Sequence, residues 1–164
     1  MTKERYDKLV APLRRYPGTV AALKGVNRAL TLLCYVMYPM LLVWLRIQED
    51  GRFWRCLLVP AVAFAAVSIF RSVYNAPRPY ELGFDSLMKK KRTGHSFPSR
   101  HVFSSVMVAV TYYYIAPGIG QALLVVSAMI AVIRVVGGVH FPKDVIAGAA
   151  AAAAAGVIGY CLVP

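Results

Sequence analysis

Three short stretches of this chain hold most of the residues that could do chemistry. Arg71 is followed, after six residues, by Arg78-Pro79; next comes Pro98-Ser99-Arg100-His101; then Arg134 is followed, after five residues, by His140 and, after three more, by Asp144. The set is four arginines, two histidines and one carboxylate, all at the ends of long apolar segments. Guanidinium forks match phosphate oxygens. A histidine held by a carboxylate can serve as a nucleophile or a base. Ser99 stands where the N-cap of a following helix would be, and the outward-pointing amides of Arg100 and His101 would then form an anion site. A plain helix cap is compatible with the same position. Asp144 falls one helical turn beyond His140 and can reach its ring, although an aspartate cap beside an interface histidine has the same spacing. Gly137-Gly138 allows the backbone to turn so that Arg134 points back towards His140.

The elements that must position these groups are apolar and long. The chain has 164 residues, of which 59% are hydrophobic and 16% charged, with a net charge of +12. Basic residues lie between hydrophobic spans, so the excess charge suits a membrane surface and anionic phosphates better than nucleic acid. Residues 1–28 are basic and amphipathic, with Tyr6, Leu9, Val10 and Leu13 at helical spacing. They are expected to lie in the membrane interface, broken into short pieces by Pro12 and Pro17-Gly18. A disordered basic tail is the other reading of that composition.

The spans are expected at Ala29–Leu45, with Thr19 capping the helix that leads into it, at Phe53–Tyr74, at about 100–115 and 119–136 on either side of Ala116-Pro117-Gly118, and from Val145 to the end. The last has small residues every four positions, including Gly148, Ala152 and Gly156, which permit close helix packing in lipid. The fold class is therefore an all-α, polytopic transmembrane helical bundle of about five spans plus the N-terminal segment. Alternation then places all three motifs on one membrane face, with the polar 75–99 loop and its basic run Lys89–Arg92. Cys34, Cys56 and Cys161 have no metal-ligand spacing and read as small buried hydrophobes. Paired carboxylates are absent, which disfavours a metal-dependent phosphatase. His95, Glu81 and Asp85 read as solvated loop residues.

Taken together, the three stretches resemble the three signatures of the phosphatidic acid phosphatase type 2 superfamily, a group that includes membrane lipid phosphatases and soluble vanadium haloperoxidases. The motifs span residues 71–144 in the family's order and spacing. The resemblance implies that His140 attacks phosphorus, that Asp144 orients it, and that His101 protonates the leaving group. It implies that Arg71, Arg78, Arg134 and the Ser99-Arg100 turn hold phosphate, with no metal or other cofactor. Residues 1–28 would then be an interfacial segment and 29–164 a transmembrane phosphatase domain. The implied substrate is a lipid phosphate in the bilayer: a polyprenyl diphosphate first, by similarity to bacterial undecaprenyl diphosphate phosphatases, then phosphatidylglycerol phosphate or phosphatidic acid. Arg71 replaces the commoner lysine, Arg100 a glycine, and Ile133 a serine, and five spans stand where six are common. A catalytically silent protein that binds anionic lipid is the alternative those departures suggest. Basic flanks favour a cytoplasmic N-terminus, and so a cytoplasmic site. The resemblance favours an extracytoplasmic one, which is the reading adopted.

Overall fold

The structure is a computed structural model and describes residues 1–88 and 93–162. The run Lys89–Arg92 lies outside the described residues. Six helices follow in order: α1 (Lys3–Arg14), α2 (Pro17–Ile47), α3 (Phe53–Tyr74), α4 (Arg100–Ile115), α5 (Pro117–Val136) and α6 (Pro142–Val157), the last running on as a wider π-helical turn, Ile158–Leu162. A short 3-10 turn, Pro79–Leu82, interrupts the loop between α3 and α4. Among the described residues there is no strand. The protein is an all-helical, polytopic bundle, as its apolar runs require.

Four helical stretches are long and apolar enough to cross a bilayer; they correspond to α2, α3, α5 and α6. The remaining helix of the expected five, α4, has only 16 residues. It is nevertheless the centre of the bundle, packed along α5 and α6, with Val102, Phe103, Val106, Met107, Ala109 and Tyr112 buried. Lipid-facing apolar side chains are carried instead by the surrounding helices, among them Val62 and Ile69 of α3 and Val125 and Val132 of α5.

The first span is longer than expected. Its helix runs unbroken from Pro17, capped by the extended backbone of Tyr16, so Thr19 lies inside it rather than at its cap. Proline at the first helical position loses no hydrogen bond and has its φ already set, so it starts this helix instead of breaking it. Pro12 likewise does not stop α1, which continues to Arg14. Pro60 sits within α3 and cannot bond the carbonyl of Cys56 one turn earlier; Tyr38 of α2 donates its hydroxyl to that carbonyl at 3.1 Å. A freed backbone acceptor in the membrane is thereby satisfied by a neighbouring helix. Cys34 and Cys56 are buried, whereas Cys161 is exposed.

The small-residue face of α6 lies against α4. A Cβ on Gly148 would come within 2.6 Å of the Ser99 carbonyl, so only glycine lets α6 approach the start of α4 this closely. At the same end of the bundle, α1 docks on the loops. Tyr6 and Val10 are fully buried near Phe84 and Phe141, and the Tyr6 hydroxyl donates to Val136 O at 3.0 Å. Arg14 pairs with Asp85 at 3.1 Å. The apolar stripe of α1 is thus divided: Tyr6 and Val10 face protein, and Leu9 stays half exposed.

Candidate active site

All three motifs meet at this end. The last turn of α3 supplies Arg71, the following loop Arg78, the first turn of α4 His101, the last turn of α5 Arg134, and the α5–α6 connection His140 and Asp144. Ser99 is the N-cap of α4, and its amide donates to the Asp144 carbonyl at 2.8 Å, tying the second motif to the third. Pro142 opens α6 at the first helical position, which sets Asp144 in its first turn. The amides of Val139 and His140 both bond the Arg134 carbonyl, at 3.1 and 3.3 Å, so the glycine turn folds the histidine back over the end of α5. Gly138 adopts a φ of +68°, and a side chain there would strike Ser86 and Tyr6.

Asp144 and His140 are both buried, with Nδ1 of the ring 3.6 Å from Oδ2 of the carboxylate. Oδ2 also accepts from the Ser96 hydroxyl at 2.6 Å and from the Phe141 amide at 2.9 Å. Ser96 Oγ lies 3.4 Å from the same imidazole nitrogen. Burial pushes the His140 pKa down to about 4; Asp144 pulls it up, and the charges of Arg78 and Arg134 push it down further. The ring is therefore neutral at pH 7 and retains a lone pair for nucleophilic attack.

Positive charge is in excess here. Arg78 and Arg134 are 5% and 2% exposed, and neither guanidinium has a carboxylate partner among the described residues. Arg78 Nε donates to the Gly94 carbonyl at 2.8 Å, and Arg134 Nε is buried without a partner. The Ser99 hydroxyl and Asp144 Oδ1 are likewise buried and, among the described residues, unpartnered. Arg71 is turned to the loop backbone, donating to the carbonyls of His95 and Pro98. The Arg100 guanidinium lies 5.6 Å above the ring of Phe64 on α3. A cavity of about 340 Å³ opens between α2, α3 and α4; His101 forms part of its wall with Tyr35, Tyr38, Phe64 and Met107, and the lining is almost wholly apolar.

Three residues near the site were not singled out as parts of it by sequence. Ser96 is fully buried and bonded to Asp144. Glu81 is not merely a surface charge: its carboxylate accepts from the amides of Arg78 and Gly94, at 2.8 and 2.9 Å, and fixes the loop around Arg78. His95 is only half exposed, with Nδ1 3.0 Å from the Arg71 carbonyl and a φ of +52°. The adjacent Gly94, also at positive φ, was the one sequence signal of a constrained turn there.

An all-helical membrane bundle with buried arginines around a histidine–carboxylate pair defines the class of protein. The model of the PAP2 superfamily matches residues 52–164, more than two thirds of the chain, and the chain belongs to that superfamily. It is similar to the crystal structure of LpxE from Aquifex aeolicus, with 24% identity, a TM-score of 0.71, and coverage of 95% of this chain and 92% of that one. It is also similar to a transmembrane PAP2 type phosphatidylglycerolphosphate phosphatase from Bacillus subtilis, with 21% identity, a TM-score of 0.51, and coverage of 94% and 90%. No curated protein matches the chain.

Proposed function

We propose that this PAP2 protein is a membrane phosphatase that hydrolyses a lipid phosphate or diphosphate through a phosphohistidine. The observation that carries the reading is the uncompensated charge: two arginines buried beside a neutral histidine, with orphaned Ser99 and Arg134 donors. Burying an unpaired guanidinium costs several kcal/mol. A dianionic phosphate would supply the missing partner and take up the orphaned donors.

In this reading His140 Nδ1 faces Asp144, which leaves Nε2 to attack phosphorus. Asp144 holds the ring and stabilises the charge that develops on it. His101 donates a proton to the leaving oxygen, and water then cleaves the phosphorus–nitrogen bond. Arg78 and Arg134 hold the phosphate oxygens with the α4 N-terminus at Ser99. Arg71 contributes charge while clamping the 95–98 backbone. The apolar cavity next to His101 supports a lipid as the leaving portion: a chain lying there keeps its phosphate at the site. A polyprenyl diphosphate is the first substrate to try, then phosphatidylglycerol phosphate and phosphatidic acid.

Phosphate release in detergent from that panel, with chelator present, tests the activity. Release should persist with chelator and fall by about a thousandfold or more in His140→Ala. A folded, lipid-binding preparation with no turnover would replace this reading with that of a silent lipid-binding protein. We place the site on the extracytoplasmic face. A cysteine at Leu82, introduced after replacing the three native ones, should react with an impermeant maleimide in intact cells, and protection until lysis would reverse the assignment.

A further inference from the structure

We propose that Arg100 recognises a second phosphate on the leaving-group side, so that the site prefers a lipid diphosphate to the monophosphate of the same lipid. The inference rests on the phosphatase reading above and narrows its substrate.

Arg100 is the first residue of α4 and is half-buried. Among the described residues its guanidinium meets only the Phe64 ring. A cation in the first turn of a helix opposes the helix dipole, and no acidic residue occupies that turn. The preceding Ser99 is fully buried with its hydroxyl unpartnered. The start of α4 is thus positive twice over, and among the described residues no carboxylate pairs with Arg100.

Position gives this charge its meaning. Phe64 and His101 both line the apolar cavity, so Arg100 stands beside the wall they share. Arg78 and Arg134 instead act on His140. A substrate with its chain in the cavity would carry its leaving group along the wall that Phe64 and His101 form, where Arg100 covers the Phe64 ring.

For a diphosphate, attack by His140 Nε2 forms a nitrogen–phosphorus bond and breaks the bond from that phosphorus to the bridging oxygen. The bridging oxygen keeps the electron pair and takes the His101 proton. The departing group is a lipid monophosphate whose charge lies beside Arg100. Water then hydrolyses the phosphohistidine to inorganic phosphate and restores His140. For a monophosphate the leaving oxygen belongs to an alcohol, and Arg100 has no anion to hold.

The test compares farnesyl diphosphate with farnesyl monophosphate on the purified full-length protein in detergent. In Arg100→Gly, kcat/KM for the diphosphate should fall about ten- to hundredfold and that for the monophosphate less than about threefold. Arg100→Lys, which keeps the charge without the fork, should recover part of the loss. Equal losses on both substrates, or no loss on either with an unchanged melting temperature, would overturn the proposal while leaving the phosphatase reading intact. Wild-type protein that releases phosphate from neither substrate would overturn both.

Discussion

Ser96 shows how one hydroxyl can hold a buried histidine–carboxylate pair. It donates to the carboxylate oxygen of Asp144 that faces His140, and it sits 3.4 Å from the ring nitrogen. The carboxylate is thereby held in place before any substrate binds. Ser96→Ala should lower kcat about tenfold with KM little changed, since only positioning is lost; an unchanged kcat would remove Ser96 from the site. His140 gives a second prediction, about pH. In the unfolded chain its pKa returns to about 6.5, while the folded value is near 4. Between those values the unfolded chain binds a proton that the native one does not, so stability falls as pH drops from about 6.5 towards 4. Melting in detergent should show wild type losing more between pH 7 and pH 5 than His140→Gln, and equal losses would contradict the buried, neutral ring.

At the scale of elements, the site depends on how closely α6 approaches α4. Gly148→Val would drive a side chain into the Ser99 carbonyl, which is backbone and cannot swing aside. Such overpacking costs about 1–3 kcal/mol. The melting temperature should drop, and activity should drop further than a remote substitution of equal destabilisation, because Ser99 moves with the clash. Parallel losses of the two would show that the contact only stabilises. Elements bounded by charge or by a turn were legible in the sequence: α3 runs over Phe53–Tyr74, about where the apolar stretch between Arg55 and Arg71 places a span, and Ala116-Pro117 divides α4 from α5 where expected. The start of α2 was not, because proline breaks a helix in its interior and opens one at its first turn, and local sequence does not say which. Ser96 was invisible for another reason: its partner Asp144 is fixed by tertiary packing, and a lone serine in a loop has no periodicity to betray it. Glu81 did leave a local signal, since it caps the Arg78 amide three residues back. The arginines and the His140–Asp144 pair were legible because i, i+4 spacing and span ends carry geometry in themselves.

At the scale of the whole molecule, α4, which is capped by Ser99 and carries His101, is a short helix at the centre of the bundle, with 16 residues. Sixteen residues at about 1.5 Å each give α4 a length of about 24 Å, against a hydrocarbon core of about 30 Å. The helices around it are longer, with 31 residues in α2 and 22 in α3. A site at the N-terminal end of so short a helix is expected to lie below the level at which head groups ordinarily sit. On the proposed function, a lipid would then have to sink, or the leaflet to dimple, for its phosphate to reach His140. Bilayer thickness thus becomes a control on catalysis: proteoliposomes made with 14-carbon acyl chains should turn over a fixed dilute substrate several times faster than those made with 20-carbon chains. Rates independent of thickness would mean that the surrounding helices tilt enough to level the floor. A phosphatase shaped in this way would respond to the membrane as a material as well as to the molecule it dephosphorylates, working fastest wherever the leaflet is thin or already deformed.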